Sequence, residues 1–263
     1  MPEGDAVWAT CRRLDAALAG RELIRCELRV PSLATVDLTG VPVREVVSRG
    51  KHLLIRLGDG RTLHSHLRMD GAWRVYPDDQ RWTGGPGHEI RAVLGVPDST
   101  AVGYRLPVLE LITTAGEHEV VGHLGPDLLG DDWDVDEAVR RLASDPRRSI
   151  GEALLDQRNL AGIGTIYRAE ILFLQGIHPR TPVGAVPKLR RLSTRARHVM
   201  TSNRERSGIV TTGVQRRGQE LWVYGRAGRP CRRCGTLIMV EEFGPEQQER
   251  LSYWCPHCQP APG

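Results

Sequence analysis

The chain has 263 residues, of which 40% are hydrophobic and 26% are charged, and this balance excludes a disordered or fibrous protein. A chain of this length is expected to form two compact domains, or one domain with appended modules. No stretch approaches the roughly 18 consecutive apolar residues of a membrane-spanning helix, and the N-terminal MPEGDAVW lacks the features of a secretory signal. We therefore expect a cytoplasmic protein with no membrane partner.

Apolar residues recur at helical spacing near the N-terminus, at Val7, Cys11, Leu14 and Leu18. This pattern predicts a first helix over residues 4–19, ended by Gly20. From residue 21 to about residue 124 the pattern indicates short β-strands separated by turns. The eight predicted strands lie in RELIRCELRV, PVREVVSRG, KHLLIRL, RTLHSHLRM, GAWRVY, IRAVLGV, LELITT and HEVVGHL. Their number favours a β-sandwich or flattened barrel.

Helical periodicity returns after residue 133. Asp134 and Glu137 form a capping-box pattern at the start of VDEAVRRLA, and IGEALLDQ, IGTIYRAEILFLQ and PKLRRLSTRARHVM continue as predicted helices. We therefore predict an α+β protein whose helical domain follows the β domain. The predicted boundaries are 1–124 for the β domain, 125–133 for a linker, 134–222 for the helical domain and 223–263 for a terminal segment. That last segment is too short to build its own core and needs a further constraint, such as a bound metal ion or disulfide bonds.

The charged residues are unevenly distributed, although the formal net charge is only +4. Between Val186 and Cys234 there are 13 Lys and Arg residues against two acidic residues, Glu205 and Glu220, so the remainder of the chain is net acidic. A basic segment beside an acidic body is typical of a protein that binds a polyanion such as nucleic acid. A solvated helix face produces a milder version of the same pattern.

Four of the six cysteines form two CxxC pairs separated by 20 residues: Cys231, Cys234, Cys255 and Cys258. Two such turns predict a tetrahedral four-sulfur site for one structural Zn²⁺, and disulfide pairing is the weaker alternative in a cytoplasmic protein. A closed site has no open coordination position, so the catalytic groups are expected elsewhere. Cys11 and Cys26 fall on apolar positions and are predicted to be buried.

A second motif lies in ALLDQRNLAGIGTIYRAEIL, residues 153–172, where two helical patterns flank a glycine-containing turn. The second helix is predicted to begin near Gly164, and the amide groups at a helix start can bind phosphate. Asn159 can add a side-chain donor. An ordinary helical hairpin with no ligand explains the same residues.

Four segments, taken in order, resemble the formamidopyrimidine-DNA glycosylase and endonuclease VIII family of base-excision repair enzymes. They are PEG at 2–4, SRGKHLL at 48–54, LLDQRNLAGIGTIYRAE at 154–170, and VYGRAGRPCRRCG through YWCPHCQ at 223–259. The resemblance spans nearly the whole chain. It implies a catalytic β-sandwich domain, a helix-two-turn-helix DNA-binding domain and a zinc-finger hairpin. It also implies a monomer that acts on damaged double-stranded DNA, with no redox or nucleotide cofactor.

The resemblance assigns catalytic roles to Pro2, Glu3 and Lys51. Once Met1 is removed, Pro2 carries a free secondary amine that would attack the sugar C1′ and form a Schiff base. Glu3 would donate and accept protons around base release. Lys51, one of only two lysines, would assist elimination and contact phosphate. The alternative for Pro2 and Glu3 is an ordinary helix start. The alternative for Lys51 is a solvated cation at the start of a strand.

The resemblance also assigns DNA contacts. Asn159 and the helix start at Gly164 would hold phosphates of the damaged nucleotide, and Arg250 would clamp the phosphate lost in the second elimination. His123 stands where family members often carry a basic phosphate contact. Met69 would fill the stack that the extruded nucleotide vacates, and Arg68 would read the opposite base. Packing in the core is the alternative for Met69.

Two departures from the family pattern affect the expected substrate. Asp5 and Ala6 stand where the family commonly has proline and glutamate, so one pocket carboxylate is shifted or lost. PEG, where the formamidopyrimidine branch usually has PEL, indicates the endonuclease VIII branch and oxidised pyrimidines. Oxidised purines as the main substrate, and a non-catalytic protein that binds DNA damage, remain the alternatives.

Overall fold

The structure is a computed structural model that describes residues 2–244 and 250–262. The chain divides into two compact units, residues 1–123 and residues 124–263. Among the described residues, no helix is both long enough and apolar enough to cross a lipid bilayer.

The first unit is built from two antiparallel sheets of four strands each. The strand orders are β1-β6-β7-β5 and β2-β3-β4-β8. The bounds of its helices and strands are α1 Gly4–Leu18, β1 Arg25–Leu28, β2 Val43–Arg49, β3 His52–Leu57, β4 Arg61–His66, β5 Ala72–Pro77, β6 Ile90–Val96, β7 Ser99–Tyr104, β8 Val108–Thr113 and α2 Glu117–Val121. The predicted N-terminal helix and β-sandwich are confirmed.

The core of the first unit lies between the two sheets and against α1. The predicted stripe of α1 is buried, and it joins one cluster with inward-facing residues of both sheets, such as Ile55 of β3 and Leu94 of β6. Cys11 belongs to this cluster, and burial raises the pKa of its thiol. Cys26 packs at the edge of the same cluster and is half-buried. Both cysteines are therefore packing residues.

The prediction of a strand at residues 118–124 is wrong, because most of this segment belongs to the short helix α2. The preceding residue explains why. The Glu117 carboxylate accepts hydrogen bonds from Arg56 of β3 at 2.9 Å and from Thr62 of β4 at 2.7 Å. These contacts fix the start of α2 against the sheet, which local apolar spacing does not reveal.

The strand β7, which the sequence prediction omits, lies between β5 and β6 and pairs with both. It contains Ala101 and Gly103, which have weak strand preference. Its two neighbours satisfy its backbone groups on both edges, and Ala101 and Val102 are fully buried. Tertiary pairing therefore creates this strand.

The second unit contains the four predicted helices and a two-stranded hairpin. Their bounds are α3 Val135–Leu142, α4 Ile150–Ala153, α5 Thr165–Gln175, α6 Leu189–Asn203, β9 Met239–Phe243 and β10 Arg250–Trp254. Asp134 caps α3 by accepting the N–H groups of Asp136 at 2.8 Å and Glu137 at 3.2 Å. The Glu137 side chain binds Arg140 and Arg141 instead of completing the capping box.

The segment 125–133, predicted as a linker, lies within the second unit. The N–H of Gly125 donates to the carbonyl of Gln157 at 2.9 Å, and the N–H of Ala161 donates to the carbonyl of Pro126 at 3.1 Å. A side chain at Gly125 would collide with the backbone of Asn159. The start of this segment therefore packs on the turn between α4 and α5.

The terminal segment shares its core with the helical region. Phe173 of α5 lies in one cluster with Val223, Cys231 and Cys255. The segment from residue 223 onward is too short to bury enough apolar surface alone, so α5 supplies part of its core.

Candidate functional site

The chain start places Pro2 and Glu3 at the entrance of α1. Glu3 is the N-cap residue with extended backbone, and its carbonyl accepts the N–H of Val7 at 3.1 Å. Its side chain makes no capping hydrogen bond, although the residue is only 1% exposed. Glu3 therefore places a buried carboxyl group directly beside Pro2.

Lys51 lies at the tip of the β2–β3 hairpin. Arg49 pairs with His52, so the turn consists of Gly50 and Lys51 alone. Gly50 has φ of 59°, a conformation that hairpin turns demand at this position and that glycine adopts freely. Burial lowers the pKa of Lys51, and the negative charge of nearby Glu3 partly offsets this effect. Lys51 is half-buried, so it is not a fully solvated cation at the start of a strand.

Arg68 and Met69 form the turn after β4. Arg68 has φ of 47°, a left-handed conformation that is uncommon for residues other than glycine. The His66 ring nitrogen Nδ1 accepts the N–H of Arg68 at 3.0 Å and helps to hold this turn. The turn leaves Met69 63% exposed, so Met69 is not a core residue.

The predicted phosphate-binding turn in the second unit is tightly braced. Gly164 is the N-cap residue of α5, as predicted. The Gln157 side chain donates to the carbonyls of Leu155 and Ile163 and accepts the N–H of Gly162. Asn159 donates one side-chain N–H to the carbonyl of Ala153 at 2.9 Å, which fixes its orientation.

The basic segment contains cations that lack an acidic partner. Arg190 pairs with Asp136, whereas Lys188, Arg191 and Arg195, on or beside α6, form no ion pair among the residues that the structure describes. Many arginines elsewhere in the chain pair with a neighbouring acid, as Arg180 does with Glu241. This part of the second unit is therefore suited to an external polyanion.

The four paired cysteines come together as the sequence predicts. Their sulfur atoms all lie within 4.8 Å of one another, and three of the pairs are separated by 3.4, 3.5 and 4.0 Å. Sulfurs around a tetrahedral zinc ion are about 3.8 Å apart, given a Zn–S bond of about 2.3 Å. Hydrogen bonds from Thr236 lower the pKa of Cys234 to about 6, whereas burial raises the pKa of Cys255 and Cys258. The cluster can hold a metal ion.

Arg250 is the first residue of β10, and it pairs with Phe243 of β9. The two-stranded hairpin thus connects Arg250 to the cysteine cluster through a short stretch of regular backbone. The cluster residue Cys255 directly follows the last residue of β10.

Comparisons with known proteins agree with these observations. A model of the formamidopyrimidine-DNA glycosylase N-terminal domain matches residues 1–104, and one of the formamidopyrimidine-DNA glycosylase H2TH domain matches residues 124–213. The probable endonuclease 8 2 of Streptomyces coelicolor is 58% identical, with 100% of this chain and 95% of that protein covered. The chain belongs to the formamidopyrimidine-DNA glycosylase family.

Further relatives come from both branches of the formamidopyrimidine-DNA glycosylase family. The DNA-(apurinic or apyrimidinic site) lyase Nei2 of Mycolicibacterium smegmatis is 49% identical over 99% of this chain and 100% of its own length. The Lactococcus lactis member, solved in a complex with abasic-site DNA, has a TM-score of 0.81 and 25% identity over 98% of this chain and 100% of its own. The same protein, with DNA containing an oxidised pyrimidine, gives a TM-score of 0.82, 26% identity and coverage of 99% and 100%.

The structure of this family member distributes the predicted site residues over its two units. Pro2, Glu3, Lys51, Arg68, Met69 and His123 lie in the first unit, and Asn159, Gly164, Arg250 and the four cysteines lie in the second. In the first unit, Lys51 is close enough to Glu3 for their charges to interact. His123 is exposed, and its ring centroid lies 6.5 Å from that of His52.

The structure brings together three histidines that the sequence pattern did not single out. The rings of His64 and His66 lie 5.1 and 5.0 Å from that of His52, measured between centroids. The sequence contains one indication of this cluster, because His64 and His66 are two residues apart and share one face of a predicted strand. Recognising the cluster required the register between β3 and β4, which pairs His52 with His66.

Proposed function

We propose that the protein is a bifunctional DNA glycosylase and abasic-site lyase of base excision repair, which acts on damaged double-stranded DNA. One observation carries this proposal: Pro2 adjoins the buried carboxylate of Glu3, and Lys51 is within electrostatic reach of that carboxylate. An amine, an acid and a partly desolvated lysine are the groups that Schiff-base chemistry on a sugar requires.

The reaction starts at Pro2. Its nitrogen forms a bond to the sugar C1′ as the bond from C1′ to the base breaks, and the proton that the Pro2 nitrogen loses neutralises the departing base. Glu3 supplies a proton as the sugar ring opens to the Schiff base. Removal of a C2′ proton then expels the 3′ phosphate, and a second elimination expels the 5′ phosphate. Lys51, with a lowered pKa, assists these proton transfers.

The second unit would hold the DNA backbone. Asn159 and the start of α5 at Gly164 would bind phosphates of the damaged nucleotide. Arg250 would clamp the phosphate that leaves in the second elimination. The cations Lys188, Arg191 and Arg195, which form no ion pair with any described residue, would add binding that does not depend on sequence.

The exposed turn after β4 and the loop that ends in His123 would complete the DNA contacts. Met69, which is 63% exposed, would enter the base stack when the damaged nucleotide leaves it. Arg68 would contact the opposite base, and His123 would bind a phosphate. These roles need exposed side chains on a braced turn, and the hydrogen bond from Arg68 to His66 supplies the brace.

We assign zinc to the four-cysteine cluster, because an all-sulfur tetrahedral set suits that ion. Cys231, Cys234, Cys255 and Cys258 would bind it as thiolates. The ion would supply folding energy to the terminal segment and hold the hairpin that carries Arg250.

Oxidised pyrimidines are the proposed main substrate, and the PEG motif with the relatives named endonuclease 8 supports this choice. The test measures base release and strand cleavage on duplexes that contain one oxidised pyrimidine, one formamidopyrimidine or one abasic site. Faster release of the oxidised pyrimidine supports the proposal. Faster release of the formamidopyrimidine would show a purine glycosylase, and binding without any cleavage would show a non-catalytic damage-binding protein.

A further inference from the structure

A chain of hydrogen bonds runs through the first unit beside Lys51, and its members have no role in the proposed chemistry so far. The Nδ1 atom of His64 lies 2.7 Å from a carboxylate oxygen of Glu110, and the Nε2 atom of His64 lies 2.9 Å from Nδ1 of His52. Sheet register explains the contacts, since Glu110 of β8 lies directly opposite His64 of β4. His64 is 2% exposed, and Glu110 is 48% exposed at the solvent end.

The direction of every hydrogen bond follows from the carboxylate. An ionised Glu110 can only accept, so Nδ1 of His64 carries the proton. In the form of His64 that carries a proton only on Nδ1, Nε2 is bare and accepts the Nδ1 proton of His52. His52 is left with a bare Nε2 atom. Glu110 therefore selects one tautomer for both histidines.

The surroundings of His52 and His66 lower the pKa of both rings. Burial and the neighbouring histidines lower the pKa of His52 to about 3. Burial and the charges of Lys51 and Arg68 lower the pKa of His66 to about 4. Both rings are thus uncharged near neutral pH, and an uncharged His52 can donate one proton to His64.

The chain of contacts ends at the proposed catalytic lysine. His52 directly follows Lys51, and its ring packs edge-on against His66 with 5.0 Å between centroids. Lys51 in turn is near enough to His66 to affect its titration. His52 thus joins the hydrogen-bonded chain to the residue next to Lys51, and its ring packs on the His66 ring, which lies within electrostatic reach of Lys51.

We propose that Glu110, His64 and His52 form a positioning relay that holds Lys51 in place for the lyase reaction. The relay rests on the proposed function, because Lys51 matters only if elimination occurs. Glu110, His64 and His52 are positioning residues, since they act through Lys51. A metal site is a poorer explanation, because within the described part of the chain only the four cysteines bring three or more ligand atoms together.

Substitutions at His64 test the relay. Glutamine keeps one donor and one acceptor, so His64→Gln can preserve both hydrogen bonds, whereas His64→Leu removes both. We expect His64→Leu to slow single-turnover cleavage of an abasic duplex about ten- to a hundredfold, with little change in Kd, and His64→Gln to restore most of the rate. His118→Gln is the matched control, because His118 is an exposed histidine that binds only the carbonyl of Ala115 in the described structure.

Substitutions at Glu110 keep the test valid if His64→Leu does not fold. Glu110 is half-exposed, so its replacement puts little strain on the core. Glu110→Ala should slow cleavage, and Glu110→Gln, which retains an acceptor oxygen, should slow it less. Equal rates for Glu110→Ala and the wild type would overturn the relay.

A measurement without substrate distinguishes failure of the relay from failure of the function. Long-range ¹H–¹⁵N NMR of histidine-labelled wild-type protein should show His64 and His52 as Nδ1–H tautomers. An Nε2–H tautomer at His64 would refute the relay whatever the activity. If the tautomers are as expected but the wild type cleaves no abasic duplex, the proposed function fails and the lyase role of the relay fails with it.

Discussion

The carboxylate of Glu170 lies 2.9 Å from the backbone nitrogen of Val223, although 53 residues separate the two along the chain. The same carboxylate also accepts the N–H groups of Trp222 and Tyr224 and the hydroxyl of Thr211. Glu170 is fully buried on α5. One side chain thus attaches the start of the cysteine-containing segment to the helix that follows the proposed phosphate-binding turn.

Glu170→Gln should destabilise the second unit. Its amide would point an NH₂ group at backbone donors and leave buried N–H groups without an acceptor, at a cost on the order of 1–3 kcal/mol. Urea unfolding followed by tryptophan fluorescence should show a lower midpoint. Glu242→Gln, at an exposed position of β9, is the control that should leave the midpoint unchanged. Equal midpoints for both variants would show that the four hydrogen bonds contribute little.

The Pro2 amine should form a covalent intermediate with DNA. Borohydride reduces a Schiff base to a stable amine, so wild-type protein and an abasic duplex should give a trapped adduct that migrates slowly in a denaturing gel. Pro2→Gly should weaken trapping sharply, because it replaces the secondary amine. A form that retains Met1, which lies outside the described residues, should bind DNA and trap none. Undiminished trapping by that form would refute the assignment of Pro2.

The cysteine cluster should contain one zinc ion that is needed for DNA binding. Cys234→Ser should lower the zinc content, disorder the hairpin that carries Arg250 and weaken DNA binding, while the first unit stays folded. Cys26→Ser is the control, because Cys26 lies in β1 of the first unit and should leave zinc content unchanged. Active wild-type protein that contains no zinc on metal analysis would contradict the assignment.

Phosphate contacts and base contacts should respond differently to substitution. Arg250→Ala and Asn159→Ala should weaken binding to different lesion duplexes by similar factors, since phosphate contacts carry no base identity. Each lost contact is worth on the order of 1–3 kcal/mol, and loss of Arg250 should reduce the salt dependence by about one counterion.

Arg68→Ala and Met69→Ala should show the opposite behaviour. Met69 carries no charge, and both residues are proposed to act at the bases, so lesion preference should change while the salt dependence changes little. The measurement is Kd across salt concentration for all four variants on two lesion duplexes. A changed lesion ranking in Arg250→Ala would disprove this division of roles.

Much of the local structure could be predicted from the sequence. The stripe on α1, the caps at Asp134 and Gly164 and the cysteine spacing each depend on residues close together in the chain. Helix periodicity, capping and CxxC geometry are short-range effects, so a single sequence contains the information.

The sequence alone did not determine features that depend on contacts between distant residues. The strand β7 exists because β5 and β6 pair with both its edges, and the segment 118–124 turns helical where Glu117 binds Arg56 and Thr62. The burial of Lys51 and the histidine relay depend on strand register in the same way. Only the tertiary structure decides these features, because their hydrogen bonds and desolvation come from partners that local sequence does not specify.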